Sequence, residues 1–127
     1  MLKEIEELEI ALANAKAEYA KSQTPTIIKP DFEAFEVYPN DLEGRFTWDE
    51  AKEACEALGE GWRLPTKNEL NEIYKNRVGG FANYGYWSST EYDNYGAWVQ
   101  NFSNGSQYSL YKFYDYFNVR AVRALTI

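Results

Sequence analysis

The chain has 127 residues, 17% of them aromatic, and a formal net charge of −7. That is the size of one ordinary domain able to bury a core, and so aromatic a chain does not read as disordered. It has no histidine, which removes the commonest general base and metal ligand, and its single cysteine, Cys55, excludes an internal disulfide.

The charge is spread unevenly. Residues 1–23 carry −2 and residues 24–82 carry −5, whereas residues 83–127 hold three charges of each sign and are neutral. Phosphate binding needs clustered Lys and Arg, so no nucleic-acid partner is expected. No stretch approaches the roughly 18 apolar residues of a membrane span. The N-terminus has no apolar core like that of a signal peptide. The expected location is the cytoplasm, or a cell or virion surface reached after processing or by another route. No metal or other cofactor is expected.

Residues 1–23 predict a helix. Ile5, Leu8, Leu12, Ala15 and Tyr19 follow heptad spacing, so the segment either packs on its own domain or forms a short stalk joining a homo-oligomer, trimer or dimer. Residues 22–26 read as a linker, and residues 24–127 as a ligand-binding domain. A strand is predicted near residues 35–38, followed by a turn at Pro39, Asn40 and Asp41. Two helices then announce themselves. Thr47 with Glu50, and Thr66 with Glu69, each make a capping box. The first helix should run to Leu58 and stop at Gly59; the second should reach about Arg77. Cys55 reads as a small buried hydrophobe, and the connector between the helices should bury Trp62 and Leu64.

After Gly80 the helical period disappears. Residues 86–90, 97–102 and 119–125 read as strands, with the Asn104-Gly105 pair marking a hairpin turn. Helices followed by antiparallel strands make an α+β domain. Trp87, Trp98, Phe102 and Val119 are expected to face inward.

Residues 83–118 are dominated by Tyr, Phe, Trp, Asn, Ser and Gly, and their charged residues are Glu91, Asp93, Lys112 and Asp115. Large flat side chains among small polar ones are the composition of a paratope. Read as a strand, residues 113–117 would place Phe113, Asp115 and Phe117 on one side and Tyr114 and Tyr116 on the other. Burying both faces would strand tyrosine hydroxyls, so the tyrosines are expected to be exposed.

Several segments, in this order, resemble one family. They are Phe46-Thr47-Trp48-Asp49-Glu50-Ala51-Lys52, Gly61-Trp62-Arg63-Leu64-Pro65-Thr66 and Tyr86-Trp87-Ser88-Ser89-Thr90-Glu91-Tyr92. Ala97-Trp98, Asn101-Phe102 and Val119-Arg120-Ala121-Val122-Arg123 complete the set. Together they are similar to the C-type-lectin-like domains of the Legionella collagen-like protein C-terminal family and the Fibrobacter major paralogous family. The resemblance covers about residues 32–125. It implies a C-type-lectin-like fold and a binding role; it does not imply an activity, and no enzymatic function is expected, while collagen-like members imply trimers. The Glu-Pro-Asn, Gln-Pro-Asp and Trp-Asn-Asp triplets of calcium-dependent lectins are absent. Sugar binding, if it occurs, would be calcium-independent.

The aromatic third also resembles the variable region of proteins targeted by diversity-generating retroelements. Adenine randomisation of Asn codons yields Tyr, Phe, Ser, Asp, Asn, Gly, Ala and Leu among others, but not Trp, Lys, Gln, Glu or Met. Residues 108–111 pass that filter, Lys112 does not, and residues 113–118 pass again before Val119. Asn94 and Tyr95 pass beside Trp98. The expected recognition surface is Tyr92, Asn94, Tyr95, Tyr108, Ser109, Tyr111, Phe113, Tyr114, Asp115, Tyr116 and Phe117. Its ligand would be a protein or a glycan. Paired carboxylates drawn from Glu91, Asp93 and Asp115 would be needed for glycoside hydrolysis, and no spacing fixes such a pair.

Overall fold

A computed structural model describes residues 24–125 of the chain. The heptad helix expected over residues 1–23, and the oligomer expected through it, lie outside the described residues. Among the described residues no helix is long and apolar enough to cross a membrane.

The elements run β1 (Thr26–Ile28), β2 (Phe35–Val37), α1 (Trp48–Glu56), α2 (Lys67–Lys75), β3 (Gly85–Glu91), β4 (Gly96–Asn101), β5 (Gln107–Tyr111) and β6 (Val122–Ala124). They form two small antiparallel sheets, ordered β1-β2-β6 and β3-β4-β5, with the two helices packed on them. The class is α+β, as the order of patterns implied.

Both helices begin where their capping residues dictate. Glu50 turns its carboxylate back onto Thr47, accepting the N–H at 3.0 Å and the hydroxyl at 2.8 Å. At the second helix, Thr66 Oγ1 accepts the Glu69 N–H at 3.1 Å while Glu69 accepts the Thr66 N–H at 2.8 Å. The guanidinium of Arg63 forks onto the same carboxylate at 2.7 and 2.9 Å. Burial by itself would raise the Glu69 carboxyl, but the bonds from Arg63 and Thr66 outweigh it and hold it below the ordinary range.

One stripe of α1, Trp48, Ala51 and Cys55, meets Trp87, Ala97 and Val99 of the larger sheet in a first core that also holds Trp62 and Leu64. Burial and the neighbouring Glu56 push the Cys55 thiol up to about 12. Leu70 and Ile73 of α2 enter a second core with Phe35, Val37, Tyr86 and Val122. Tyr86 and Trp87 are consecutive on β3 and so point to opposite faces. The larger sheet is therefore covered on both sides.

A third stabilising knot closes the interior. Arg120 is buried, donating to Asp41 Oδ1 and to the Gly80 carbonyl at 2.8 Å each, and lies 4.0 Å from the Phe81 ring centroid. The Tyr86 hydroxyl donates to the other Asp41 oxygen.

The structure departs from the sequence reading in four places. Thr26, read as the end of the linker, and Ile27 and Ile28, assigned to no element, form edge strand β1 on β2. The last strand is only Val122–Ala124; Val119 and Ala121 instead offer their carbonyls to Leu42 and Tyr38 at 2.9 and 2.8 Å. Trp98 and Phe102, expected to face inward like the fully buried Trp87 and Val119, are only partly buried. Residues 112–116 form a turn rather than a strand, because backbone and side-chain bonds between Tyr111 and Asp115 close it.

Candidate functional site

The site region is built around an irregularity in β3. Trp87 pairs with Val99, yet Glu91 pairs with Ala97, so β3 carries a bulge between them. Ser88 fills it: its hydroxyl donates to the Trp98 carbonyl at 2.7 Å and accepts the Thr90 N–H at 3.2 Å. Thr90 Oγ1 in turn accepts the Lys67 N–H at 2.9 Å, fixing the first turn of α2 to the strand. That contact helps place the Lys67 ammonium 3.5 Å from the Trp98 ring centroid. The Trp-Ser-Ser-Thr run thus shapes the strand end that launches the next loop.

The loop from Tyr92 to Tyr95 is turned by Asp93. Its Oδ1 accepts the N–H groups of Tyr95 and Gly96 at 2.8 and 2.7 Å. Lys112 ties this loop to the later turn. Its N–H donates to the Tyr95 carbonyl at 2.8 Å, and its ammonium reaches the Asn94 carbonyl at 3.4 Å and Glu91 at 3.6 Å. The following turn is closed by Asp115, which accepts the Tyr111 N–H at 2.9 Å through Oδ2 and returns its own N–H to the Tyr111 carbonyl at 3.2 Å.

Between the loop and β5 lies a pocket of about 280 Å³, walled by Tyr92, Asp93, Tyr95, Ser109 and Tyr111. Its remaining lining comes from Leu110 and from Gly96, which pairs with Tyr111 across the strands. A Cβ on Gly96 would stand 3.2 Å from the Leu110 carbonyl and 3.8 Å from Tyr92 Cβ, so glycine keeps this space open.

The eleven residues expected to form the surface divide. Tyr92, Tyr95, Ser109 and Tyr111 come together around this pocket. Phe113, Tyr114 and Tyr116 project from the turn, with Tyr114 80% exposed. Tyr116 also borders a smaller depression of about 80 Å³ with Arg45 and Tyr84. Asn94 is exposed on the loop. Three residues are engaged in the framework. Tyr108 packs partly buried against the first core, Phe117 stands edge-on to Trp87 at 5.1 Å, and Asp115 builds its turn.

The recognition surface expected from the sequence did not include Asp93, Gly96 or Tyr84. The first two carried a signal, since Asp93-Asn94-Tyr95-Gly96 is turn chemistry between two strands. Tyr84 had none: its exposure follows from the way the chain enters β3.

The family model for the Lcl C-terminal domain matches residues 14–123, and the chain belongs to that family. No curated protein matches the chain.

Proposed function

We propose that this member of the Lcl C-terminal domain family is a recognition domain. Its C-type-lectin-like scaffold would present the rings of Tyr92, Tyr95, Tyr111, Phe113, Tyr114 and Tyr116 to a macromolecular ligand. The observation that carries the reading is their exposure, between 56% and 80%, in a domain whose other described aromatics, Tyr84 and Phe32 apart, are buried or half-buried. Exposed aromatic side chains of this density mark interaction surfaces, and tyrosine loses little rotamer entropy on binding. The reading assigns no catalytic step.

The retroelement reading gains a positional argument. Lys112, which codon randomisation does not produce, is buried and bonded to Tyr95, while its neighbours Tyr111 and Phe113 are exposed. A fixed anchor between replaceable display residues is the arrangement a diversified surface requires. Sequencing the locus tests it: a near-repeat with adenine-specific mismatches and a reverse transcriptase gene are expected, and their absence overturns the diversification.

Recognition itself is tested with Tyr92, Tyr95, Tyr111 and Tyr114 all changed to Ala. The quadruple variant should unfold within a few degrees of the native protein yet lose partners captured by the native chain from lysate. Retained capture, or a collapse of thermal stability, overturns the surface assignment. A glycan array run in parallel separates calcium-independent carbohydrate binding from protein binding.

A further inference from the structure

The pocket over Gly96 combines two features that select a ligand by charge. Three tyrosines, Tyr92, Tyr95 and Tyr111, wall it, and the Asp93 carboxylate is fixed beside them by the Tyr95 and Gly96 N–H groups. Aromatic faces carry negative potential and attract ammonium or guanidinium groups, the more so when an anion stands nearby. We propose that this pocket receives the cationic head of a Lys or Arg side chain on a protein partner. The inference rests on the recognition reading above and names the chemistry its pocket selects.

The surrounding charges support a cation over an anion. Glu91 is matched by Lys112 at 3.6 Å, and Lys67 lies against the Trp98 ring at 3.5 Å. Asp93 and Asp115 have no ion-pair partner among the described residues. An approaching anion would meet Asp93 at the wall and a chain of net charge −7 behind it. The contact chemistry already occurs next door. Lys67 rests on Trp98, whose ring meets Tyr92 edge-on at 5.6 Å.

A protein source is favoured over a free amine by the setting. The pocket opens beside β5, an edge strand of its sheet. The Lys112 N–H points toward Tyr95, so by alternation the Ser109 N–H and carbonyl point away from β4. No backbone partner other than the β4 pairing engages Ser109 among the described residues. An extended partner segment has main-chain groups to pair there while its side chain enters the tyrosine walls.

The test is an amide chemical-shift titration of the full chain with four probes: N-acetyl-lysine methylamide, its neutral norleucine counterpart, methylammonium chloride and methyl mannoside. The lysine derivative should shift Tyr92, Gly96, Ser109 and Tyr111 and bind about tenfold tighter than norleucine. Asp93→Asn keeps the turn acceptor and removes the charge; it should weaken the lysine probe several-fold while leaving the spectrum otherwise native. Equal binding of the norleucine and lysine probes, or preferential binding of mannoside at these residues, overturns the cation assignment but leaves the recognition surface standing. Silence from all four probes overturns the pocket as a binding site. Methylammonium binding as tightly as the lysine derivative overturns the protein-side-chain source.

Discussion

Lys112 and Trp48 are joined twice, through the Trp48 N–H donated to the Lys112 carbonyl at 3.2 Å and through the Lys112 ammonium 4.4 Å from the indole centroid. The start of α1 is thereby fastened to the residue that also holds Tyr95 and Asn94. Replacing Lys112 with Ala should cost about 2 kcal/mol, through the lost stem packing and cation–π contact. Hydrogen exchange should accelerate first at residues 92–95. Lys112→Met keeps the stem and should recover about half the loss. Unchanged exchange in that loop would show that Lys112 does not anchor it.

Asp115 is a turn builder among display residues. Asp115→Ala should destabilise the domain by about 1 kcal/mol and expose residues 112–116 to limited proteolysis, since it removes one charge-assisted bond at a partly exposed site. Asp115→Asn retains an acceptor and should be resistant. Equal proteolysis of both variants would remove Asp115 from the framework.

The buried guanidinium of Arg120 satisfies Asp41 and the Gly80 carbonyl together. Arg120→Met should cost about 3–5 kcal/mol in urea unfolding, because Asp41 loses its cation and its Oδ1 and that carbonyl lose their donor. Arg120→Lys should recover little, for an ammonium lacks the planar fork that reaches both. A loss below about 1 kcal/mol would show that water replaces the guanidinium.

Glu69 gives a pH dependence of known sign. Its folded carboxyl titrates below the ordinary range, so the unfolded chain takes up the proton first as pH falls. The contribution is present above the unfolded value of about 4.3 and is lost as pH falls through the folded value. Glu69→Gln should be less stable than the native protein by about 1–2 kcal/mol at pH 7, with the gap narrowing through acid. A gap that persists unchanged to pH 2 would separate Glu69 stability from its charge.

Much of the scaffold was legible along the chain because its causes are local. Thr47 and Thr66 start helices through side chains three residues away, and the spacing of Trp48, Ala51 and Cys55 selects one buried stripe. The long β3 and β4 strands followed from their runs of aromatic and small residues. β1 escaped because three residues beside a Thr-Pro-Thr linker carry too little pattern, and pairing with β2 decides them.

By itself the sequence determined the α+β class, the capped helices, the inward Trp62, Leu64 and Trp87, and the region in which an aromatic surface had to be sought. Only the tertiary structure decided which aromatics reach solvent. A string such as Phe113-Tyr114-Asp115-Tyr116-Phe117 fits a strand or a turn equally by composition. Asp115 bonding to Tyr111 makes it a turn, Lys112 anchors it to Trp48, and Trp87 claims the Phe117 ring. The last two contacts join residues far apart in the chain, and no local spacing encodes them.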